Sequence, residues 1–311
     1  MKANVLQLGP LLPLVEKGLA EKYTVLDLGK APDAAKLLAE KGTAIDAIAS
    51  SGRNGVNAAL IDALPKLRLI AHFGVGYDNV DVEHARKKGV VVTNTPDVLT
   101  DCVADLAMAL LIDVARGITA GDRYVRAGRW LKGAMPLATK ASGKRLGIVG
   151  LGRIGRAIAA RAEGFDMEIR YHNRRQSPDS PYAYEPSVEN LARWCDFLMV
   201  ATSGGESTRG LVCAAVLDAL GPAGFLVNIA RGSVVDEPAL VSALAGKRIA
   251  GAALDVFADE PRVPEALFAL DNVVLTPHIA SATADTRAAM GQLVLDNLES
   301  FFRDGRALTP V

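Results

Sequence analysis

Cysteine is scarce, and its scarcity excludes a good deal. The chain has three, Cys102, Cys195 and Cys213, among 311 residues. No two form a CxxC pair and no histidine stands at ligand spacing from them, so neither a zinc site nor a disulfide framework is expected. All three fall in apolar or helix-like stretches, which predicts buried, reduced thiols and fits a reducing cytoplasm. An excess of one charge is also lacking: 35 Lys and Arg balance 35 Asp and Glu. That argues against nucleic acid or an anionic membrane as the main partner, and any anion site must be a local cluster. Long apolar runs are missing too. The opening MKANVLQLGPLLPLVEKGLA has the lysine and leucines of a signal peptide, but Asn4, Gln7, Pro10, Pro13 and Glu16 break it. It reads as a strand over 4–8, a turn and a helix, and no run approaches the ~20 residues that span a bilayer. Internal repeats, low-complexity tracts and charge blocks are absent.

What is present is apolar residue in quantity, 50% of the chain, over a length that favours two domains. Short β-like runs alternate with helix-like stretches, the pattern of βαβ units and a parallel sheet. The first series is NVLQL (4–8), YTVLDL (23–28), IDAIAS (45–50), RLIAHF (68–73) and VVVTN (90–94), with helices such as 33–41, 56–64 and 81–88 between them. The second is RLGIVG (145–150), EIRYH (168–172), FLMVAT (197–202), FLVNIA (225–230), AGAALDVF (250–257) and VVLTP (273–277). Its runs are almost wholly apolar, as in strands covered on both faces. Between the series Val103, Leu106, Ala107, Leu110, Leu111 and Val114 recur at helical spacing, giving a helix over 101–116 with Thr100 as its N-cap. The polar stretch 117–144 reads as an arm, and a last helix over about 283–303 returns to the first domain. The expected fold is α/β, with one domain made of residues 1–99 and 282–311 and a second made of residues 100–281.

Gly150-Leu151-Gly152-Arg153-Ile154-Gly155 matches G-x-G-x-x-G after a strand-like run and before a helix-like one. Gly150 allows the tight turn, Gly152 a close approach of backbone to pyrophosphate, and Gly155 close helix packing. Arg153 adds charge at a helix N-terminus that already favours anions. About twenty residues on, where an NAD enzyme carries an acid for the ribose, the sequence reads YHNRR. Asn173 removes the carboxylate, and Arg174 and Arg175 offer charged forks suited to a 2′-phosphate, with Ser177 a further donor. The cofactor reading is therefore NADP. Arg231 in NIARGSVVDE, Glu260 in LDVFADEP and His278 in LTPHIAS each follow a strand, where parallel sheets bind ligands. Hydride transfer to a ketone needs a proton donor, which His278 supplies; Glu260 fixes its tautomer, and Arg231 holds a carboxylate and polarises the carbonyl.

Together GVGYDNVD, TNTPDVLTDCVADLAMALL, GLGRIGRAIA, NIARGSVVDEPALVSAL, LDVFADEP and LTPHIAS resemble the D-2-hydroxyacid dehydrogenases, and within them the glyoxylate/hydroxypyruvate reductases, over nearly the whole chain. The resemblance implies Arg231, Glu260 and His278 as the catalytic set, with backbone N–H groups near Val75 and Gly76 clasping the substrate carboxylate. It also implies two Rossmann-like domains, a flavodoxin-like substrate domain over residues 1–99 and 282–311 and a dinucleotide-binding, doubly wound parallel sheet over residues 100–281, with the active site in a cleft between them, and a homodimer. Ile154, Thr202, Ala230 and Asp255 join the expected cofactor contacts, and Arg53 of SSGRNG the substrate side. The chain departs from many relatives after FLMVAT, where SGGEST (203–208) replaces a proline-containing loop. Trp130 of the arm reads either as packing or as a contact to a second subunit. Two further readings stay open: an NAD-dependent dehydrogenase of another D-2-hydroxy acid such as lactate, and a cofactor-sensing corepressor on the same fold. No metal is implied.

Overall fold

The computed structural model describes residues 2–311 and turns the two series of apolar runs into two separate sheets. The chain divides into two compact units, one made of the residues up to Leu99 together with Ala282–Val311, the other of Thr100–Ser281.

In the first unit the strands are β1 (Asn4–Gln7), β2 (Thr24–Asp27), β3 (Ala47–Ser51), β4 (Leu69–Phe73) and β5 (Val91–Thr93). They pair in parallel in the order β2-β1-β3-β4-β5, the flavodoxin-like order. Helices α1 (Pro13–Lys22), α2 (Ala34–Lys41), α3 (Ala58–Asp62) and α4 (Val82–Lys87) make the crossovers. Their starts follow from local chemistry: the side chains of Asp33, Asn57 and Asp81 each accept from the backbone N–H three residues on. Leu6, Ile48, Ile70 and Val92 fill the core beneath the sheet.

In the second unit α5 (Thr100–Arg116) and α6 (Ile118–Arg126) precede β6 (Arg145–Val149), α7 (Arg153–Glu163), β7 (Glu168–His172), β8 (Ala183–Tyr184), α8 (Val188–Trp194), β9 (Phe197–Val200) and α9 (Ala214–Leu220). There follow β10 (Phe225–Asn228), α10 (Glu237–Ala245), β11 (Gly251–Leu254) and β12 (Val273–Leu275). The parallel order is β12-β11-β10-β9-β6-β7-β8. The order reverses between β6 and β9, which makes the loops after these two strands the switch point where such sheets take ligands. Strands β9, β10 and β11 are buried at every position, which is why their sequence is continuously apolar. Helix α5 lays Val103, Ala107, Leu110 and Leu111 on this sheet and on α7.

One local expectation needs correction: Thr100 is not a cap but the first residue of α5. Two elements are not legible in the sequence, α6, which occupies the first third of the arm, and β8. The edge strand β8, two residues long, carries too little apolar periodicity to be read from sequence. The final helix α11 (Ala284–Asp304), capped by Thr283 and stopped by a left-handed Gly305, packs on α1 and β4 of the first unit.

Candidate active site

The glycine loop is shaped by what a side chain would strike. A Cβ on Gly150, where φ is +102°, would lie 2.6 Å from the backbone nitrogen of Thr202. One on Gly155 would lie 2.1 Å from the Gly150 carbonyl oxygen. These two glycines bring the turn against the β9 loop and α7 against the turn. At Gly152 the Cβ position meets nothing within 4 Å, so the loop is open there, and no side chain caps the N-terminus of α7. A cradle open at the middle glycine and ending on uncapped helical N–H groups fits the pyrophosphate of a dinucleotide. Arg153, Ile154 and Thr202 flank it.

The loop after β7 lies beside the glycine loop. Asn173 Oδ1 accepts from the Leu151 N–H at 2.7 Å, so the neutral side chain ties the two loops together. Arg174 and Arg175 are exposed. Ser177 Oγ accepts from Arg156 Nη2 at 2.5 Å.

At the far side of the same sheet edge, three loops meet. The imidazole Nδ1 of His278 lies 2.7 Å from Glu260 Oε2, and the Phe257 N–H donates to Glu260 Oε1 at 3.1 Å. Burial acts to raise the Glu260 pKa. The His278 hydrogen bond and charge, the Phe257 N–H and the Arg231 guanidinium outweigh it, and hold the carboxyl below its usual value. Glu260 is therefore ionised and His278 presents its proton to it from Nδ1, leaving Nε2 for a reacting group. His278 itself adopts φ +54°, a left-handed conformation, and its N–H donates to the carbonyls of Asp255 and Thr276.

Asp255 is the residue that imposes this. Its carboxylate, fully buried, accepts from Thr276 Oγ1 at 2.6 Å, Ile279 N at 2.8 Å and Ala280 N at 2.9 Å. The carboxylate lies beneath the His278 loop and organises it. Asn228 does the same for Arg231. Its Oδ1 accepts from the Ala230 N–H and its Nδ2 donates to the Arg231 carbonyl, both at 3.0 Å. Gly232 then lets this loop press on the next, since a Cβ there would sit 1.9 Å from the Phe257 carbonyl carbon. Asn228 passed unremarked in the sequence, although a polar residue ending the apolar run FLVN is a signal for a buried hydrogen-bonding role.

In the first unit, the loop after β4 carries Val75 and Gly76. The carbonyls of Gly74, Val75 and Gly76 are held by Thr95 N (2.9 Å), Asn94 Nδ2 (2.9 Å) and His72 Nε2 (3.1 Å). A trans peptide points its N–H opposite to its C=O. The N–H groups of Val75, Gly76 and Tyr77 therefore each point away from the partner that holds their own peptide's carbonyl, and glycine-rich backbone of this kind can approach an anion. His72, fully buried, has Ser50 Oγ at 3.0 Å from Nδ1, so it works under the loop as a brace. Arg53 is exposed on the loop after β3, which Asn79 Nδ2 ties down through the Gly52 carbonyl at 3.0 Å.

Other candidates resolve plainly. Of the three cysteines only Cys195 is buried, with burial pushing its thiol up to about 12. Cys102 and Cys213 are half-buried, which corrects that expectation, and Cys102 Sγ donates to the Ala280 carbonyl. His84 pairs with Asp62 on a helix surface. Among the described residues no group of His, Cys, Asp and Glu could hold a metal, and no helix is long and apolar enough to cross a membrane.

Comparison with known proteins adds a family and three close likenesses. Residues 108–280 match the model of the D-isomer specific 2-hydroxyacid dehydrogenase, NAD binding domain. Glyoxylate/hydroxypyruvate reductase A HPR2 of Arabidopsis thaliana is 47% identical over 308 residues, 99% of this chain and 98% of that protein. A hydroxyphenylpyruvate reductase of Plectranthus scutellarioides is 48% identical over the same length, again 99% and 98% of the two chains. The crystal structure of an NADPH-dependent glyoxylate/hydroxypyruvate reductase from Sinorhizobium meliloti, in complex with NADP and malonate, superposes with a TM-score of 0.94 at 46% identity. It covers 100% of this chain and 97% of that one.

Proposed function

Given that the chain belongs to the D-isomer-specific 2-hydroxyacid dehydrogenase family, we propose that it reduces small 2-oxo acids with NADPH. Glyoxylate and hydroxypyruvate are the proposed substrates, giving glycolate and D-glycerate. The observation that carries this reading is the ionised Glu260 bonded to His278 at 2.7 Å, with the Arg231 guanidinium acting on the same carboxylate. When bound, the reduced dinucleotide supplies the hydride. His278 donates the proton from Nε2 to the oxo oxygen as negative charge builds there. Glu260 keeps the ring oriented through Nδ1. Arg231 polarises the carbonyl of the oxo acid. In the other unit the N–H groups of Val75 and Gly76, with Arg53 on the neighbouring loop, are suited to a carboxylate. The unit of Thr100–Ser281 takes the dinucleotide on its glycine loop, with Thr202 and Ala230 in contact. The other unit takes the oxo acid.

NADPH rather than NADH is supported by the loop after β7. Asn173 spends Oδ1 on the Leu151 N–H and offers no carboxylate to a 2′-hydroxyl, while two exposed guanidiniums follow it. A homodimer is supported by the arm, where Ile118, Val125, Trp130 and Leu131 are exposed apolar side chains and Leu131 reaches 94%. The cysteines, none in a disulfide, suit a reducing cytoplasm.

The test is a panel of 2-oxo acids assayed with each cofactor, alongside His278→Ala. Glyoxylate or hydroxypyruvate should give the highest kcat/KM with NADPH. The variant should lose about three orders of magnitude in kcat while still binding the cofactor. Equal or better turnover with NADH points instead to an NAD-dependent dehydrogenase. No turnover with any oxo acid points to a cofactor-sensing role.

A further inference from the structure

The loop that ends β7 is held far more firmly than a solvated turn. Tyr184 Oη donates to the Asn173 carbonyl at 3.1 Å, fixing the start of the loop. Tyr171 Oη accepts from the Ser177 N–H at 2.9 Å and donates to the Ser177 carbonyl at 3.3 Å, fixing its end. Tyr171 is fully buried, and its ring lies 5.5 Å from that of Tyr184. The edge strand β8 exists to set Tyr184 opposite Tyr171, the register in which it pairs with β7. Between the two clamps only residues 174–176 stand out into solvent.

A third guanidinium reaches the same loop. Arg156, in the second turn of α7, crosses to Ser177 and donates to its Oγ. That hydroxyl oxygen is then an acceptor, and its proton is left for another oxygen. Three arginines, Arg156, Arg174 and Arg175, and one oriented hydroxyl thus surround a short rigid loop in a chain with no net charge. A phosphate monoester, with about two negative charges and three acceptor oxygens, is the group such a set recognises. A 2′-hydroxyl needs neither the charge nor the number of donors.

We infer that Arg156 is a specificity-determining residue for the 2′-phosphate, set in place through Ser177, and that Tyr171 and Tyr184 are the positioning residues that hold the loop for it. This rests on the NADPH reading above. Fixing the loop in the free protein removes the ordering cost that five mobile residues would otherwise levy on binding. It also places Arg174 and Arg175 on the exposed crest instead of leaving their direction to chance.

The test needs no turnover. Calorimetric titration of the whole protein with 2′,5′-ADP and with 5′-AMP gives the ratio of the two Kd values, which isolates the 2′-phosphate. Wild type should favour 2′,5′-ADP strongly. Arg156→Gln should cut the ratio by about ten- to a hundredfold, the worth of a charge-assisted contact. Arg156→Lys should restore part of it. Tyr171→Phe keeps the buried ring, removes only the clamp, and should lower the ratio several-fold, with Tyr184→Phe acting likewise. A wild-type preference that survives both Arg156→Gln and Tyr171→Phe overturns the inference and leaves NADPH reading to Arg174 and Arg175. A wild type with no preference overturns the NADPH reading itself, and this inference with it.

Discussion

Glu260 Oε2 lies 2.7 Å from His278 Nδ1, and the carboxylate is gripped from behind by the Phe257 N–H. The pair is therefore a fixed donor–acceptor unit that holds the imidazole with Nε2 directed to a reacting group. Glu260→Gln keeps the shape but bonds Nδ1 without a charge, so the ring is held less firmly. The kcat for reduction should fall by about ten- to a hundredfold while the Kd for NADPH stays near the wild-type value. A kcat close to wild type shows that the carboxylate does not orient the ring.

The same pair has a stability signature. Because the Glu260 carboxyl is held below its usual pKa, the ionised form is favoured by folding. Its contribution is complete above the unfolded carboxylate value and disappears as pH falls through the lowered folded value. Thermal unfolding followed from neutral pH into the acid range should show wild type losing more Tm than Glu260→Gln. Parallel losses in the two proteins contradict this.

Gly232 is where two active-site loops touch backbone to backbone, its missing Cβ leaving room 1.9 Å from the Phe257 carbonyl carbon. Backbone cannot swing aside as a side-chain tip does. Gly232→Ala should cost about 1–3 kcal/mol by urea unfolding and separate Arg231 from Glu260, lowering kcat more than cofactor affinity. An alanine variant with wild-type stability and turnover means the loops yield freely.

The split between what was legible in sequence and what was not follows the range of each interaction. The strands of both sheets show as apolar runs because burial on both faces is written residue by residue, and the glycine loop shows because its spacing is local. Arg231, Glu260 and His278 stand out as polar residues just past strands. Their braces do not. Asp255 sits inside an apolar run, and only the placement of Thr276, Ile279 and Ala280 reveals that its carboxylate serves a loop over twenty residues on. Asn228 and Arg156 act through carbonyls, N–H groups or hydroxyls whose direction no composition encodes. The arm hid α6 for a different reason: its outward face is apolar without a core to match.

Asn173 offers a direct change of cofactor. Asn173→Asp with Arg174→Gln keeps an oxygen for the Leu151 N–H, places a charge near the ribose and removes one guanidinium. KM for NADPH should rise by about ten- to a hundredfold while KM for NADH rises little or falls. Initial rates with each cofactor at saturating oxo acid measure this. An equal response of the two cofactors means the arginines are no more than a solvated turn.

His72 tests the carboxylate loop from below. It is fully buried, bridging Ser50 and the Gly76 carbonyl, and with Asn94 and Thr95 it holds the carbonyls of three successive residues of this loop. His72→Leu fills similar space but leaves the Gly76 carbonyl unpaired, at a cost of about 1–3 kcal/mol in stability. The freed peptide can then rotate its N–H out of line. KM for the oxo acid should rise by about tenfold or more, with KM for NADPH nearly constant, because the brace acts only on the donors for the substrate carboxylate. His72→Gln, which can still donate to Gly76, should recover much of the loss. If both variants lose kcat without a change in oxo-acid KM, the N–H groups of this loop do not hold the substrate.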